Sequence, residues 1–133
     1  MATREDGGRW LEQSRDDLHW AEHLAGEGAH NIACFMSQQA AEKALKAFLY
    51  HSGHEIVLGH SVRDLCERVS QLRPELNAEC ERWGSLDAYY VPTRYPDALP
   101  GSIPSRVFDR AAADGTVAIA RDVIETMGRL MAT

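Results

Sequence analysis

Apolar residues along this chain recur at helical spacing, and nowhere do polar and apolar positions alternate long enough to make a strand. Between Trp10 and Ala25, the residues Trp10, Leu11, Leu18, Ala21, Leu24 and Ala25 share one side at ~100° per residue, with Glu12, Arg15, His19, Glu22 and His23 opposite. This predicts an amphipathic helix, stopped by Gly26 and Gly28. A second helix is expected from Asn31 to Tyr50. There Ile32, Ala33, Cys34, Phe35, Met36, Ala41, Leu45, Phe48 and Leu49 spread apolar character almost all the way round. Such a helix belongs at the centre of a fold. Its one polar arc, Gln39, Glu42, Lys43 and Lys46, is read either as a solvent-facing strip or as part of a site, because buried lysines must snorkel or meet a partner.

After a loop punctuated by Gly53 and Gly59, Ser61 with Asp64 reads as a helix start, and Val62, Leu65, Cys66, Val69 and Leu72 carry a third helix to Pro74. A fourth is expected from Pro74, with Leu76, Cys80, Trp83, Leu86 and Tyr90 on its apolar side. The stretch from Tyr89 to Ser105 holds four of the five prolines and lacks helical periodicity. Ser105 is expected to cap a last long helix reaching Leu130, with Val107, Phe108, Ala111, Ala112, Ala118, Ile119, Val123, Met127 and Leu130 as its buried stripe. Gly115 inside that helix costs up to ~1 kcal/mol relative to alanine, which predicts a close approach of another backbone there. The expected fold is one all-α domain over residues 1–133, an up-and-down helical bundle of four long helices plus a short fifth helix, with residues 1–8 as a flexible N-terminus.

Composition narrows the function. Hydrophobic residues at 44% and charged residues at 26% are values of an ordinary globular chain. The formal net charge of −6 repels a phosphate backbone, so any nucleic-acid contact must come from a local cluster. The start of the chain is charged where a signal peptide needs an apolar core, and no later stretch approaches ~18 apolar residues. A cytoplasmic protein without a membrane segment is therefore expected. Cys34, Cys66 and Cys80 are odd in number and lack C-x-x-C spacing, so they are read as reduced thiols.

Candidate chemistry is sparse. His19 and His23 have a chelating spacing but no third ligand, and His51, His54 and His60 surround the glycine-containing loop; both groups are read as ordinary histidines, with no metal and no cofactor. Arg106, Arg110 and Arg121 lie near one another on the last helix, with Asp114 and Glu125 placed to pair with Arg110 and Arg121. No phosphate-cradling glycine loop and no G-x-S-x-G are present. What remains is the lysine arc and Arg94, Tyr95 and Asp97, which together suggest an anion-and-aromatic clamp.

Four blocks, "FMSQQAAEKALKAFLYHSG", "GHSVRDL", "LDAYYVPTRYPDA" and "FDRAAADGTVAIARDVI", resemble in order and spacing the HEPN family of small helical proteins, in the subgroup carrying Arg-Tyr-Pro-Asp. The resemblance implies a helical bundle that homodimerises, often beside a minimal nucleotidyltransferase in two-gene, toxin–antitoxin-like modules. Some members are metal-independent ribonucleases, and others are proposed to bind nucleotides. The ribonuclease branch carries an arginine followed by a histidine after four to six residues. That pattern is absent here: every histidine lies at or before His60, and Arg4, Arg9 and Arg15, the arginines that could start such a pair, have no histidine at the required distance. The leading expectation is thus a non-catalytic accessory subunit, partnered by a nucleotidyltransferase, that binds a nucleotide or RNA end through Lys43, Lys46, Arg94, Tyr95 and Asp97. The alternatives are a ribonuclease toxin pairing Arg94 with a distant histidine such as His60, and an interaction module that binds no ligand.

Overall fold

The computed structural model describes residues 4–133 and, among them, contains helices and no strands. α1 (Arg4–Gly26) starts well before Trp10, so residues 4–8 are helical where a flexible terminus was expected; residues 1–3 lie outside the described residues. Two features explain the early start. Glu5 and Asp6 occupy the first turn, where carboxylates suit the positive end of a helix. Gly7 is buried against α2 (His30–His51), and a Cβ there would sit 2.8 Å from the Ala47 carbonyl oxygen. The two backbones therefore meet at Gly7, the close approach that the sequence placed at Gly115. Gly115 itself faces open space.

A short turn with Gly28 at φ 86° reverses the chain, and α2 runs back along α1. Ala33, Cys34, Ala40, Ala41, Ala44, Leu45, Ala47 and Leu49 are fully buried, as expected for the central helix. α6 (Arg110–Met131) packs on α2 from a second side and α3 (Val62–Leu72) from a third. The core joins Leu45 and Leu49 to Val62, Leu65, Trp83, Leu86, Val123 and Met127. Next in the chain, a tight turn at Pro74–Leu76 leads into α4 (Asn77–Trp83), and another over Gly84–Tyr89 leaves it. The expected fourth helix is thus present, narrowed at both ends.

The last helix differs from expectation at its start. Pro104 fixes one turn, α5 (Pro104–Val107), which contains Ser105; the chain then extends through Phe108 and Asp109. Asp109 caps α6, its carboxylate accepting from the Ala112 amide at 2.9 Å. On α6, Arg110 pairs with Asp114 as the spacing implied, whereas Arg121 crosses to Glu22 of α1 instead of Glu125. No helix among the described residues is long and apolar enough to cross a membrane.

Two side chains position the segment between Tyr89 and α5. Asn31, at the start of α2, donates to the Thr93 carbonyl at 3.0 Å, and the buried Thr93 hydroxyl donates to the Tyr89 carbonyl at 2.6 Å. Asp87 does the same at the other end of the turn. Its carboxylate accepts from the Ser61 hydroxyl at 2.8 Å, the Val62 amide at 2.6 Å and the Arg63 amide at 3.2 Å. Ser61 meanwhile caps α3 by accepting from the Asp64 amide at 3.1 Å, as its sequence position implied.

Candidate anion-binding site

One face of α2 carries Phe35, Gln38, Glu42 and Lys46 at successive helical turns. The polar members are not a solvent-facing strip. Glu42 is 3% exposed and Lys46 6%, and Gln38 is fully buried, because α1 and the loop after α2 lie over them. Each has a polar partner, as buried polar groups require. The Gln38 amide donates to the His60 carbonyl at 2.9 Å and accepts from Gln39 at 2.7 Å. The Glu42 carboxylate lies 2.6 Å from Nδ1 of His60 and 3.9 Å from the Lys46 ammonium. Lys46 also sits 5.5 Å from the ring centre of Trp10, which in turn stacks on Tyr50. Lys43, one position round the helix, turns toward α1 and pairs with Asp17 at 2.6 Å, where Gln13 supports the same carboxylate at 2.9 Å.

Arg94 occupies the far end of this face. Its guanidinium carbon lies 4.3 Å from the ring centre of Phe35, 4.7 Å from Tyr90 and 5.0 Å from Tyr95, and Nε donates to the Tyr90 carbonyl at 2.9 Å. Three rings thus hold the cation by their negative faces without occupying its terminal N–H groups. Among the described residues no carboxylate pairs with Arg94, and its terminal nitrogens make no hydrogen bond. Asp97 is exposed and forms no ion pair with it. Tyr90 joins the two ends of the face, since the His60 ring stacks on it at 5.4 Å with planes 15° apart.

The structure therefore brings Arg94 and Tyr95 together and links them to Lys46 through Tyr90, His60 and Glu42. Lys43 belongs to a neighbouring contact with α1, and Asp97 stands at the rim. Phe35, Tyr90 and Gln38 complete the arrangement; the sequence pattern marks the two aromatics as apolar helix positions and does not single out Gln38. For Gln38 a signal is present: with Glu42 and Lys46 it makes a polar repeat of four on an otherwise apolar helix. The histidines of the loop diverge. His54 Nδ1 donates to the Leu49 carbonyl at 3.1 Å, His60 meets Glu42, and burial aided by the Arg4 charge holds the His51 imidazole below its usual range. His19 and His23 flank the exposed Trp20 edge-on at 5.5 and 5.6 Å.

An all-α bundle with a proline-rich segment docked on its central helix defines the class, and the comparisons give its family. The HEPN domain model matches residues 8–131. The crystal structure of TT1696 from Thermus thermophilus superimposes with a TM-score of 0.82 at 35% identity, over 92% of this chain and 96% of that one. The archaeal HEPN homologue ST0689 superimposes with a TM-score of 0.77 at 30% identity, over 98% of this chain and 99% of that one. No curated protein matches. The chain belongs to the HEPN domain family.

Proposed function

We propose that this HEPN protein is a non-catalytic, homodimeric subunit that binds a nucleotide or RNA end at Arg94 and works beside a minimal nucleotidyltransferase. The observation that carries the reading is the state of Arg94: a guanidinium held among three rings, its charge shared with no carboxylate and its terminal N–H groups unengaged among the described residues. That edge matches two oxygens of a phosphate, which it can grip by parallel hydrogen bonds. The half-exposed Tyr95 ring offers a base a stacking surface, and the exposed Asp97 carboxylate can accept from a ribose hydroxyl. Lys46 acts behind the grip by holding Glu42, and through it His60 against Tyr90. Lys43 adds only a shared charge from the neighbouring turn. The nucleotidyltransferase partnership rests on family membership, and co-purification of the two proteins tests it.

Calorimetric titration with a nucleotide panel checks the binding. Affinity is expected to fall as salt rises, and Arg94→Ala to weaken it by about 1–3 kcal/mol with the helical circular dichroism unchanged. Absence of any binding heat in the wild type overturns the reading.

One observation favours a second reading, metal-free RNA cleavage. A buried carboxylate orients His60, whose side chain is 62% exposed, and Tyr90 contacts both that imidazole and Arg94. In this reading His60 moves the proton and Arg94 stabilises charge at phosphorus. RNA cleavage lost on His60→Ala would install it in place of the first.

A further inference from the structure

α3 and α4 lie side by side, and each turns a cysteine toward the other. Cys66 and Cys80 are both free thiols. The Cys80 Sγ donates to the Cys66 carbonyl at 3.7 Å. Both line an open cleft of about 470 Å³, together with Arg63, Glu67, Asn77 and Glu81. Their accessibility differs: Cys66 is 2% exposed, whereas Cys80 is only partly buried. Cys34 lies elsewhere, in a small cluster with Ala33 and Ala113.

We propose that Cys66 and Cys80 are a redox-modification site, closing to an intrachain disulfide when a low-molecular-weight disulfide enters the cleft. The Cys80 thiolate attacks one sulfur of the small disulfide, forming a mixed disulfide and releasing one small thiolate. Cys66 then attacks the Cys80 sulfur and expels the second half. The protein loses two electrons and two protons, and the small disulfide is reduced to two thiols that take up both. The roles follow from geometry and electrostatics. Cys80 lines the cleft and is the more exposed of the two, so the small disulfide reaches it first, although burial pushes its thiol above the usual range. Burial pushes the Cys66 thiol far above its usual range, so Cys66 acts second, passing its proton to the departing thiolate beside it. The product ties α3 to α4 just ahead of Trp83, in the unit that ends in the Arg94 segment.

Native protein incubated with 2-hydroxyethyl disulfide tests this. Titratable thiols are expected to fall from the three of the sequence to one, with loss of two hydrogen masses and a non-reduced peptide linking Cys66 to Cys80. Dithiothreitol should restore all three. Cys66→Ser is expected to stop at a mixed disulfide on Cys80, Cys80→Ser to remain reduced, and Cys34→Ser to close as the wild type does. Three thiols retained in the native protein, a mixed disulfide that the wild type never resolves, or a bridge involving Cys34 would each overturn the proposal. The wild-type peptide map decides even where a serine variant fails to fold.

Discussion

Asp122 of α6 receives the Trp83 indole N–H at 3.0 Å and the Arg82 guanidinium at 2.5 Å, so one carboxylate fastens the end of α4 to the last helix. Burial alone would raise its pKa, but these two hydrogen bonds, with the charges of Arg82 and Arg129, carry it below the ordinary aspartate value of 3.8. A carboxylate depressed in the folded state adds stability above its unfolded pKa, and that contribution disappears as pH falls through the folded value. Asp122→Asn is therefore expected to lower Tm at pH 7, and the gap from wild type to shrink as pH drops below 3.8, measured by thermal melts across pH. A gap constant over that range would contradict the assignment. Side-chain detail of this kind is only half legible in the sequence. Arg94 and Tyr95 stand out as a basic-aromatic pair among prolines. Phe35 and Tyr90 do not, because an aromatic on an apolar stripe reads as core until a cation is found against it. Lys43 and Lys46 look alike in the sequence, and only the position of α1 separates one, paired with Asp17, from the other, packed on Trp10.

At the scale of elements, periodicity locates each principal helix but misplaces two beginnings. α1 starts early because Gly7 can be buried against Ala47, a contact between segments remote in the chain, which no local pattern contains. α6 starts late because Pro104 sets up one turn that Phe108 and Asp109 do not continue, and two capping residues, Ser105 and Asp109, compete within a few positions. The two glycines yield opposite expectations. Gly115→Ala should stabilise by up to ~1 kcal/mol, since it faces open space within α6 and alanine is the better helix former. Gly7→Ala should destabilise by about 1–3 kcal/mol, because its methyl must push α1 away from the Ala47 carbonyl. Urea denaturation of both variants checks the pair; equal effects would mean that α1 and α2 are not in close contact at Gly7.

For the whole molecule, Ile32, Val91, Ile103 and Val107 remain exposed, drawn from the start of α2 and the stretch from the proline-rich segment to α5. Exposed apolar side chains of this size favour self-association, and a two-fold homodimer is the expected assembly. Light scattering at micromolar concentration should report twice the 14.8 kDa chain mass, and Val91→Glu together with Ile103→Glu should halve it. A wild type that scatters as 14.8 kDa would rule the dimer out. For the binding proposed at Arg94, the Asn31 amide on the Thr93 carbonyl bears on speed as well as strength. It anchors the residue next to Arg94 to the most deeply buried helix, so the loss of chain freedom is incurred once, during folding, and not at each encounter. On the proposed reading, a phosphate reaching such a fixed edge need not wait for a loop to rearrange, and its association rate should follow solvent viscosity and ionic strength while varying little with Tm.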